Sequence, residues 1–298
     1  MHTLILSISF SVAVSVFLKL ARRCDVRIEQ AILVNYVTAC LLCLWLLRPP
    51  LATLFDQSAT VWIILGLLGV LLPTVFLVMA AAVRQAGIVL SDTAQRLSLV
   101  IPILAAFLVF HESLSGRKAL GIVLALGALA CLLKRTPTGT AAAPSLGERA
   151  ANNAAGSPRA RWAWLSLLGV WVGYGTIDIL FKQMARTGAR FTSSLLLSFM
   201  LAALLMILWL AARRTAWHAR SLASGILLGA LNFSNIYFYI RAHQTYPQNP
   251  TLVFAAMNIG VISIGTLVGA GVFRERLSRA NLAGIALAIG AVVLLFPR

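Results

Sequence analysis

The hexapeptide FHESLS at residues 110–115 returns near the other end of the chain as FRERLS at residues 273–278. The two copies lie 163 residues apart. Three further matches share this offset: Gly121-Ile122 with Gly284-Ile285, Gly127 with Gly290, and Lys19 with Lys182. Matches in one register at both ends of each half indicate an internal repeat.

Ten long apolar blocks alternate with short basic stretches along the chain. Of its 298 residues 60% are hydrophobic and only 11% are charged, whereas soluble domains carry about 25% charged residues. A stretch of roughly 20 apolar residues can cross a membrane as a helix, and a membrane strand would alternate polar and apolar residues instead. The predicted spans cover residues 4–20, 31–47, 61–83, 88–110, 118–133, 164–184, 192–212, 222–240, 252–273 and 281–296.

The repeat organises these spans into two halves. Residues 1–135 are predicted to hold spans 1–5, and residues 161–298 to hold spans 6–10. Residues 136–160 lack an apolar period and are rich in small and polar residues, so they are predicted to be a flexible linker. Five is an odd number, so the second half enters the membrane from the opposite face. The predicted fold is an all-α integral membrane protein of ten transmembrane helices in two inverted five-helix repeats, with both termini on the same side.

Charge and motifs narrow the functional classes. The net charge of +17 comes from residues at span ends, where they meet the headgroups of the lipid bilayer, so no nucleic-acid partner is predicted. The few acids within spans do not cluster, and there is no GxSxG, HExxH or Walker motif. We therefore predict no catalytic residue, no metal site and no cofactor. An intramembrane enzyme acting on lipid-linked substrates, a channel and a scaffold remain as alternatives to a transporter.

A further pattern within the repeat resembles a known family. Glu-x-Leu-Ser followed by Gly-x5-Gly begins at Glu112 in the first half and at Glu275 in the second, and Pro102 precedes the first copy. This pattern resembles the EamA repeat of the drug/metabolite transporter superfamily, although Gly265 stands where a second proline would match. The resemblance implies a secondary transporter that moves a small polar metabolite by alternating access, through a cavity lined by spans 1, 3, 4, 6, 8 and 9.

The membrane and the orientation follow from separate arguments. A composition rich in Ala, Leu and Arg favours a bacterial inner membrane. The family resemblance implies that both termini lie in the cytoplasm. The loops on the side opposite the termini carry more Lys and Arg, and the positive-inside rule would place the termini outside. The two arguments leave the orientation open.

Polar and charged residues within spans are the candidates for substrate binding, because burying them in a bilayer is costly. Two pairs lie four residues apart, and this spacing allows each pair to neutralise itself on one helix face. Three span-8 residues share a face and suit either a polar substrate or interhelical hydrogen bonds. The predicted site comprises Lys19, Asp92, Gln95, Arg96, Asp178, Lys182, Asn232, Asn235, Tyr239 and Asn258.

Other polar residues have structural predictions. Because cations outnumber acids in the spans, the substrate is predicted to bear an anionic group that Lys19 or Lys182 contacts. Glu112 is predicted to pair with Arg117 or with backbone N–H groups, and Ser115 and Ser278 to be helix N-caps. Pro73 and Pro102 are predicted to kink spans 3 and 4. The four histidines are placed at span ends or in loops, without a role.

Overall fold

Helices cover each of the ten predicted segments. A computed structural model describes residues 2–21, 26–50, 54–133, 158–187, 191–273 and 278–296. The first half forms His2–Ala21 (α1), Ile28–Leu42 (α2) continued by a π-helical turn at Cys43–Leu47, Ala59–Ala86 (α3), Ile88–Leu97 (α4), Val100–Leu108 (α5) and Gly116–Leu133 (α6). The second half forms Pro158–Arg186 (α7), Phe191–Ala212 (α8), Ala219–Thr245 (α9), Pro250–Phe273 (α10) and Arg279–Leu295 (α11).

Six helical segments in the described part of the chain are long and apolar enough to cross a membrane. By length and composition they are Ile28–Leu47, Ala59–Ala86, Arg161–Arg186, Phe191–Ala212, Ala219–Thr245 and Pro250–Val272. The shorter apolar helices His2–Phe17 and Arg279–Leu295 accompany them. A total of ten spans therefore stays a prediction.

Large apolar side chains are exposed along these helices. Val123 in α6 and Ile289 in α11 are 63% and 62% exposed, although a water-facing helix would carry polar residues there. Exposed tryptophans lie near helix ends, among them Trp45, Trp164 and Trp217. Tryptophan at helix ends is typical of the membrane–water interface. Exposed aliphatic helix faces with terminal tryptophans are the surface that a bilayer requires.

The chain divides into two compact units that do not coincide with the sequence repeats. Unit 1 comprises Met1–Thr74 and Ile179–Pro247, and unit 2 comprises Val75–Asp178 and Gln248–Arg298. Each unit therefore takes helices from both halves of the sequence. Helices α3 and α7 contribute to both units.

Unit 1 is organised around α9, which packs against α1 and α2. A β-carbon at Gly229 would lie 2.8 Å from the Asn35 carbonyl oxygen, so glycine allows the backbones of α9 and α2 to come this close. Aromatic rings fill the space beside this contact. Phe199 of α8 lies between Tyr36 of α2 and Phe233 of α9, with ring centroids 6.3 and 6.5 Å away.

Unit 2 is organised around the pair α6 and α11, with α10 against both. Glu112, just before α6, fastens this group, since its Oε2 accepts hydrogen bonds from the backbone N–H of Thr251 at 3.0 Å and from its hydroxyl at 2.6 Å. Its Oε1 lies 2.9 Å from the Lys118 ammonium. A carboxylate at the start of α10 satisfies helix N–H groups that lack an internal acceptor.

The predicted roles of the loop residues before α6 and α11 are mostly confirmed. Ser278 accepts from the backbone N–H of Asn281 at 3.1 Å, and Ser115 from that of Lys118 at 3.3 Å, so both are N-caps. Of the two predicted kinds of partner for Glu112, the structure confirms a backbone N–H, that of Thr251. The Arg117 guanidinium instead donates to the Val293 carbonyl at 2.9 Å, which leaves Lys118, one residue on, as the partner of Glu112.

The α6–α11 contact repeats the 163-residue offset seen in the sequence. A β-carbon at Gly121 would lie 2.8 Å from Leu295, and one at Gly284 would lie 2.7 Å from Leu132. Gly284 and Leu295 are the offset mates of Gly121 and Leu132. In unit 1, Phe199 is likewise the offset mate of Tyr36, whose ring it faces. Related contacts of this reciprocal kind are what a two-fold axis between two helices produces.

Two helix boundaries differ from those predicted from the sequence, and one span predicted to be a single helix is interrupted. Helix α9 runs to Thr245, whereas its span was predicted to end at residue 240. Helix α7 begins at Pro158, inside the predicted linker, and residues 134–157 lie outside the described part of the chain. Pro73 lies within a continuous α3, and its predicted kink stays a prediction. The predicted single span 88–110 is two helices, α4 and α5.

Adding a methyl group at either reciprocal glycine tests the α6–α11 contact. We expect Gly121→Ala and Gly284→Ala each to lower the free energy of unfolding by about 1–3 kcal/mol, because the β-carbon overpacks the facing leucine. Denaturant unfolding of the purified protein in detergent measures the change. Gly265→Ala is the control, since nothing lies within 4 Å of its β-carbon. Wild-type stability in both interface variants would contradict the packing described.

Candidate functional site

The interruption between α4 and α5 leaves a main-chain carbonyl without its usual helical donor. Pro102 has no N–H to offer the Ser98 carbonyl, and the N–H of Ile101 bonds that carbonyl instead, at 3.0 Å. The Leu97 carbonyl therefore loses its own donor, Ile101. The indole N–H of Trp171 in α7 replaces it, at 3.1 Å. The predicted kink of span 4 is thus a full interruption held by a side chain.

An ion pair lies on α4, directly before the interruption. The Arg96 Nε and the Asp92 Oδ2 are 3.0 Å apart, which confirms the self-paired arrangement predicted from their spacing. The side chains are 25% and 43% exposed, respectively. Charged groups with this much exposure would be poorly solvated against lipid. Their exposure is therefore suited to a polar environment. We call Asp92, Gln95, Arg96 and Trp171 the interruption group.

Three other predicted residues belong to unit 2. Gln95 is half-buried, and its backbone carbonyl accepts a hydrogen bond from the Ser98 hydroxyl at 2.5 Å. Asn258 donates to the Phe254 carbonyl of its own helix at 3.2 Å. Asp178 is half-buried in α7, four residues before Lys182 on the same helix, and the predicted pairing of the two side chains stays a prediction.

The two asparagines predicted on one face of α9 bond to two different neighbours within unit 1. The Asn232 amide donates to Asn35 Oδ1 of α2 at 3.2 Å. The Ser7 hydroxyl of α1 lies 3.0 Å from Asn235 Oδ1 and 3.1 Å from its backbone carbonyl. Interhelical hydrogen bonding, one of the two readings of these residues, thus describes both.

Lys182 is buried near the end of α7, only 2% exposed. Its ammonium donates to the Pro247 carbonyl at 2.8 Å, in the turn that follows α9. The Lys19 side chain and Glu275 lie outside the described atoms, so their predicted correspondence with Lys182 and Glu112 stays a prediction.

His243 is the residue that the sequence argument missed. It lies within α9 and is 1% exposed, because α9 extends beyond the predicted end of its span. The Tyr239 ring meets its imidazole edge-on, with centroids 4.8 Å apart. Phe181 in turn meets Tyr239 at 6.1 Å. The i, i+4 spacing of Tyr239 and His243 was the available signal.

Lys182, Tyr239 and His243 are all buried residues of unit 1. Arg241, two residues before His243, is exposed, and its guanidinium donates to Gln244 Oε1 at 3.1 Å. Among the described side chains, the predicted site thus separates between the two units: Asp92, Gln95, Arg96, Asp178 and Asn258 belong to unit 2, and Lys182, Asn232, Asn235 and Tyr239 belong to unit 1.

Helix content, span lengths and exposed apolar faces define the class of this chain as an α-helical, multi-pass membrane protein. No family model matches it. A Haemophilus influenzae protein described as uncharacterized is 50% identical over 301 residues, which cover 99% of this chain and 98% of that protein. The chain belongs to the same family as that protein.

The fold has a counterpart among solved structures. One chain from a crystal structure matches with a TM-score of 0.69 over 98% of this chain and 94% of its own length. The two sequences are 12% identical. At that identity the likeness shows a common fold and nothing about activity.

Removing the indole donor tests the role of Trp171. We expect Trp171→Phe to speed amide hydrogen exchange in residues 97–101 and to cost about 0.5–1.5 kcal/mol of stability, because the Leu97 carbonyl loses the hydrogen bond that the indole donates. Exchange measured by mass spectrometry reads the local effect. Trp164→Phe, an exposed tryptophan of the same helix, is the control. Equal exchange in the two variants would contradict the proposed role.

A double-mutant cycle tests whether the Asn35–Asn232 contact is structural. We expect Asn35→Leu and Asn232→Leu singly to destabilise the protein by more than the double variant predicts by addition, with a coupling energy of about 0.5–1.5 kcal/mol. Unfolding in detergent provides the four free energies. Additive effects within error would count against a structural hydrogen bond and return Asn232 to the list of substrate ligands.

Proposed function

We propose that this protein is a secondary transporter of the EamA type, which moves a small polar metabolite across a bacterial inner membrane by alternating access between two inverted repeats. The observation that carries the proposal is the constant 163-residue offset, present both in sequence motifs and in reciprocal helix contacts. Many secondary transporters are built from inverted repeats of this kind, with the substrate site between them near the membrane midplane.

The reciprocal contacts support an ancestry by duplication. The contact of Gly121 with Leu295 and the contact of Gly284 with Leu132 join corresponding residues of the two repeats in reciprocal order. In the ring pair, Tyr36 contacts Phe199, its own counterpart in the other repeat. Five spans in each repeat reverse the second repeat with respect to the bilayer. The axis that relates the repeats then lies in the membrane plane, which is the symmetry that alternating access exploits.

The interruption group supports a polar pathway. Discontinuous helices in transporters free backbone groups and helix ends at the depth where substrate binds. The interruption between α4 and α5 places the Asp92–Arg96 pair one turn before it, with both side chains partly exposed. A passive scaffold needs no partly exposed ion pair beside a helix interruption. A polar metabolite could approach both charges there.

The predicted substrate bears an anionic group. The chain has a net charge of +17, and Arg96 is partly exposed beside the interruption although it is paired with Asp92. A partly exposed cation attracts an anionic group more strongly where the surroundings screen charge weakly. The proposal of an anionic substrate depends on the proposal that the protein is a transporter.

Transport in proteoliposomes tests the function. We expect uptake or exchange of at least one small anionic metabolite in a screen that pairs charged compounds with neutral analogues. Asp92→Asn and Arg96→Gln should each reduce the rate about tenfold or more, because a lost charge-assisted hydrogen bond is worth roughly 1.5–3 kcal/mol. Vesicles without protein give the background rate.

The matched control is Arg220→Gln, an exposed basic residue at the start of α9, and protein abundance in the vesicles is held equal. Its rate should equal that of the wild type. A screen without any protein-dependent flux would refute transport. Flux of a cationic compound alone would refute the anionic substrate and leave transport standing.

A further inference from the structure

We propose that the connection between α8 and α9, together with the start of α2, forms a binding site for the headgroup of an anionic phospholipid. We call Arg27, Trp209, Arg213, Arg214 and Trp217 the basic surface. Basic residues at helix ends contact lipid headgroups of any kind, whereas the basic surface is proposed to prefer a headgroup with a net negative charge. This preference does not depend on what the protein transports.

The basic surface lies at the ends of three apolar helices of unit 1. Helix α8 ends at Ala212, α9 begins at Ala219 and α2 begins at Ile28, and all three belong to segments that are long and apolar enough to cross a membrane. Residues 26–27 and 213–218, the described parts of the two connections, include three arginines and no acid. Arginines at the ends of membrane helices face the layer of lipid phosphates.

A buried glutamine fastens the two connections to each other. The Gln30 side chain is 1% exposed, donates to the Ala216 carbonyl at 2.7 Å and accepts from the backbone N–H of His218 at 3.1 Å. The Arg27 guanidinium donates to the same Ala216 carbonyl at 3.1 Å, and the Arg27 backbone N–H donates to the Ser221 hydroxyl at 2.9 Å. Arg27 therefore has a fixed place beside the connection that carries the other two arginines.

Two tryptophans set the depth of this surface in the membrane. The Arg213 guanidinium lies over the Trp209 ring, 4.7 Å from its centroid. Trp209 and Trp217 are 40% and 58% exposed, and exposed tryptophan at helix ends is typical of the membrane–water interface. The cation–π contact thus holds the Arg213 guanidinium at the level of that interface, where lipid phosphates lie.

The donors and their surroundings suit a phospholipid with a net negative charge. Arg213 and Arg214 are both exposed, and a guanidinium can donate two parallel N–H groups to one phosphate. The phosphate of phosphatidylglycerol has no cation in its own headgroup, whereas the choline of phosphatidylcholine neutralises its phosphate. Leu204 and Leu208, one turn apart on α8, are exposed, so an apolar strip for acyl chains runs toward the basic surface.

Exposed arginines at the other end of unit 1 provide a control. Gln244 donates to the Ala185 carbonyl at 3.4 Å, so Arg186 at the end of α7 and Arg241 near the end of α9 belong to one end of the unit. Arg241 lies about 33 Å along α9 from Ala219, at a rise of 1.5 Å per residue. Neutralising these two arginines changes the net charge without touching the basic surface.

Lipid titration followed by native mass spectrometry tests the site. The detergent-purified protein is given phosphatidylglycerol or phosphatidylcholine with identical acyl chains. In the wild type we expect phosphatidylglycerol to bind about tenfold or more tightly, because each arginine near an anionic headgroup contributes roughly fivefold in affinity. Arg213→Gln combined with Arg214→Asn should abolish the preference. Asparagine replaces Arg214 because the backbone there is left-handed, with φ 46°, and asparagine tolerates that conformation.

Two further variants separate a built site from general basicity. Arg186→Gln combined with Arg241→Gln removes the same charge and should bind phosphatidylglycerol as the wild type does. Trp209→Leu leaves the net charge unchanged and should weaken that binding several-fold, because the Arg213 guanidinium loses the ring that positions it. Unfolding temperatures without lipid verify that each variant folds. Should the double variant at Arg213 and Arg214 not fold, Arg213→Gln alone should lose about fivefold.

Three results would overturn the inference. The first is equal affinity of the wild type for the two lipids. The second is an equal loss in the two double variants, which would indicate attraction to net charge only. The third is unaltered binding of phosphatidylglycerol in Trp209→Leu. Failure to detect transport in vesicles would refute the proposed function and leave the lipid site standing, since binding is measured without a gradient.

Discussion

The need to satisfy every backbone N–H and C=O without water governs this fold. In a hydrocarbon surrounding only a helix pairs these groups within one segment, and the described chain answers with helices in all ten apolar segments. Where a helix stops, a side chain must take over. Trp171 does so for the Leu97 carbonyl at the interruption, and Glu112 does so for the Thr251 N–H in the first turn of α10. Each such side-chain hydrogen bond fixes two segments of the chain to each other.

The same scarcity of water decides where charges lie. Two ion pairs described in unit 2 differ in their exposure: Asp92 and Arg96 keep partial exposure on one helix, whereas Glu112 is enclosed by Lys118 and Thr251. The enclosed carboxylate is part of the packing. The partly exposed pair can still contact another polar group. On this ground we assign Asp92 and Arg96 to the proposed site and Glu112 to the packing.

Hydropathy and repeats made much of the fold predictable from sequence. The ten helical segments follow from apolar blocks, because bilayer length and backbone pairing leave few alternatives. The Asp92–Arg96 pair followed from helical spacing alone. The interruption at Ser98 and Leu99 could not be predicted in this way. Pro73 lies in an unbroken helix, whereas Pro102 accompanies a break, so a proline alone does not predict an interruption. At the break, Trp171 of α7 donates to the Leu97 carbonyl, and the sequence around Pro102 does not indicate that contact.

The site was less predictable than the fold. His243 was missed because the apolar stretch of α9 ends before the helix itself ends at Thr245. The prediction therefore placed a buried helical residue outside the span. Asn232 and Asn235 were expected to share a surface, yet they bond to α2 and α1. Residues one turn apart on a helix diverge enough to meet different neighbours when those neighbours cross at an angle. Spacing along one helix cannot contain that information.

The division of the chain into two units also sets an order of assembly. Unit 1 needs residues up to Pro247 and unit 2 needs the segment from Gln248 to Arg298, so neither is complete when the first repeat has left the ribosome. The early helices are held in the membrane until distant partners arrive. Since domains form as their residues emerge, unit 1 closes first. The last two helices, α10 and α11, then complete unit 2.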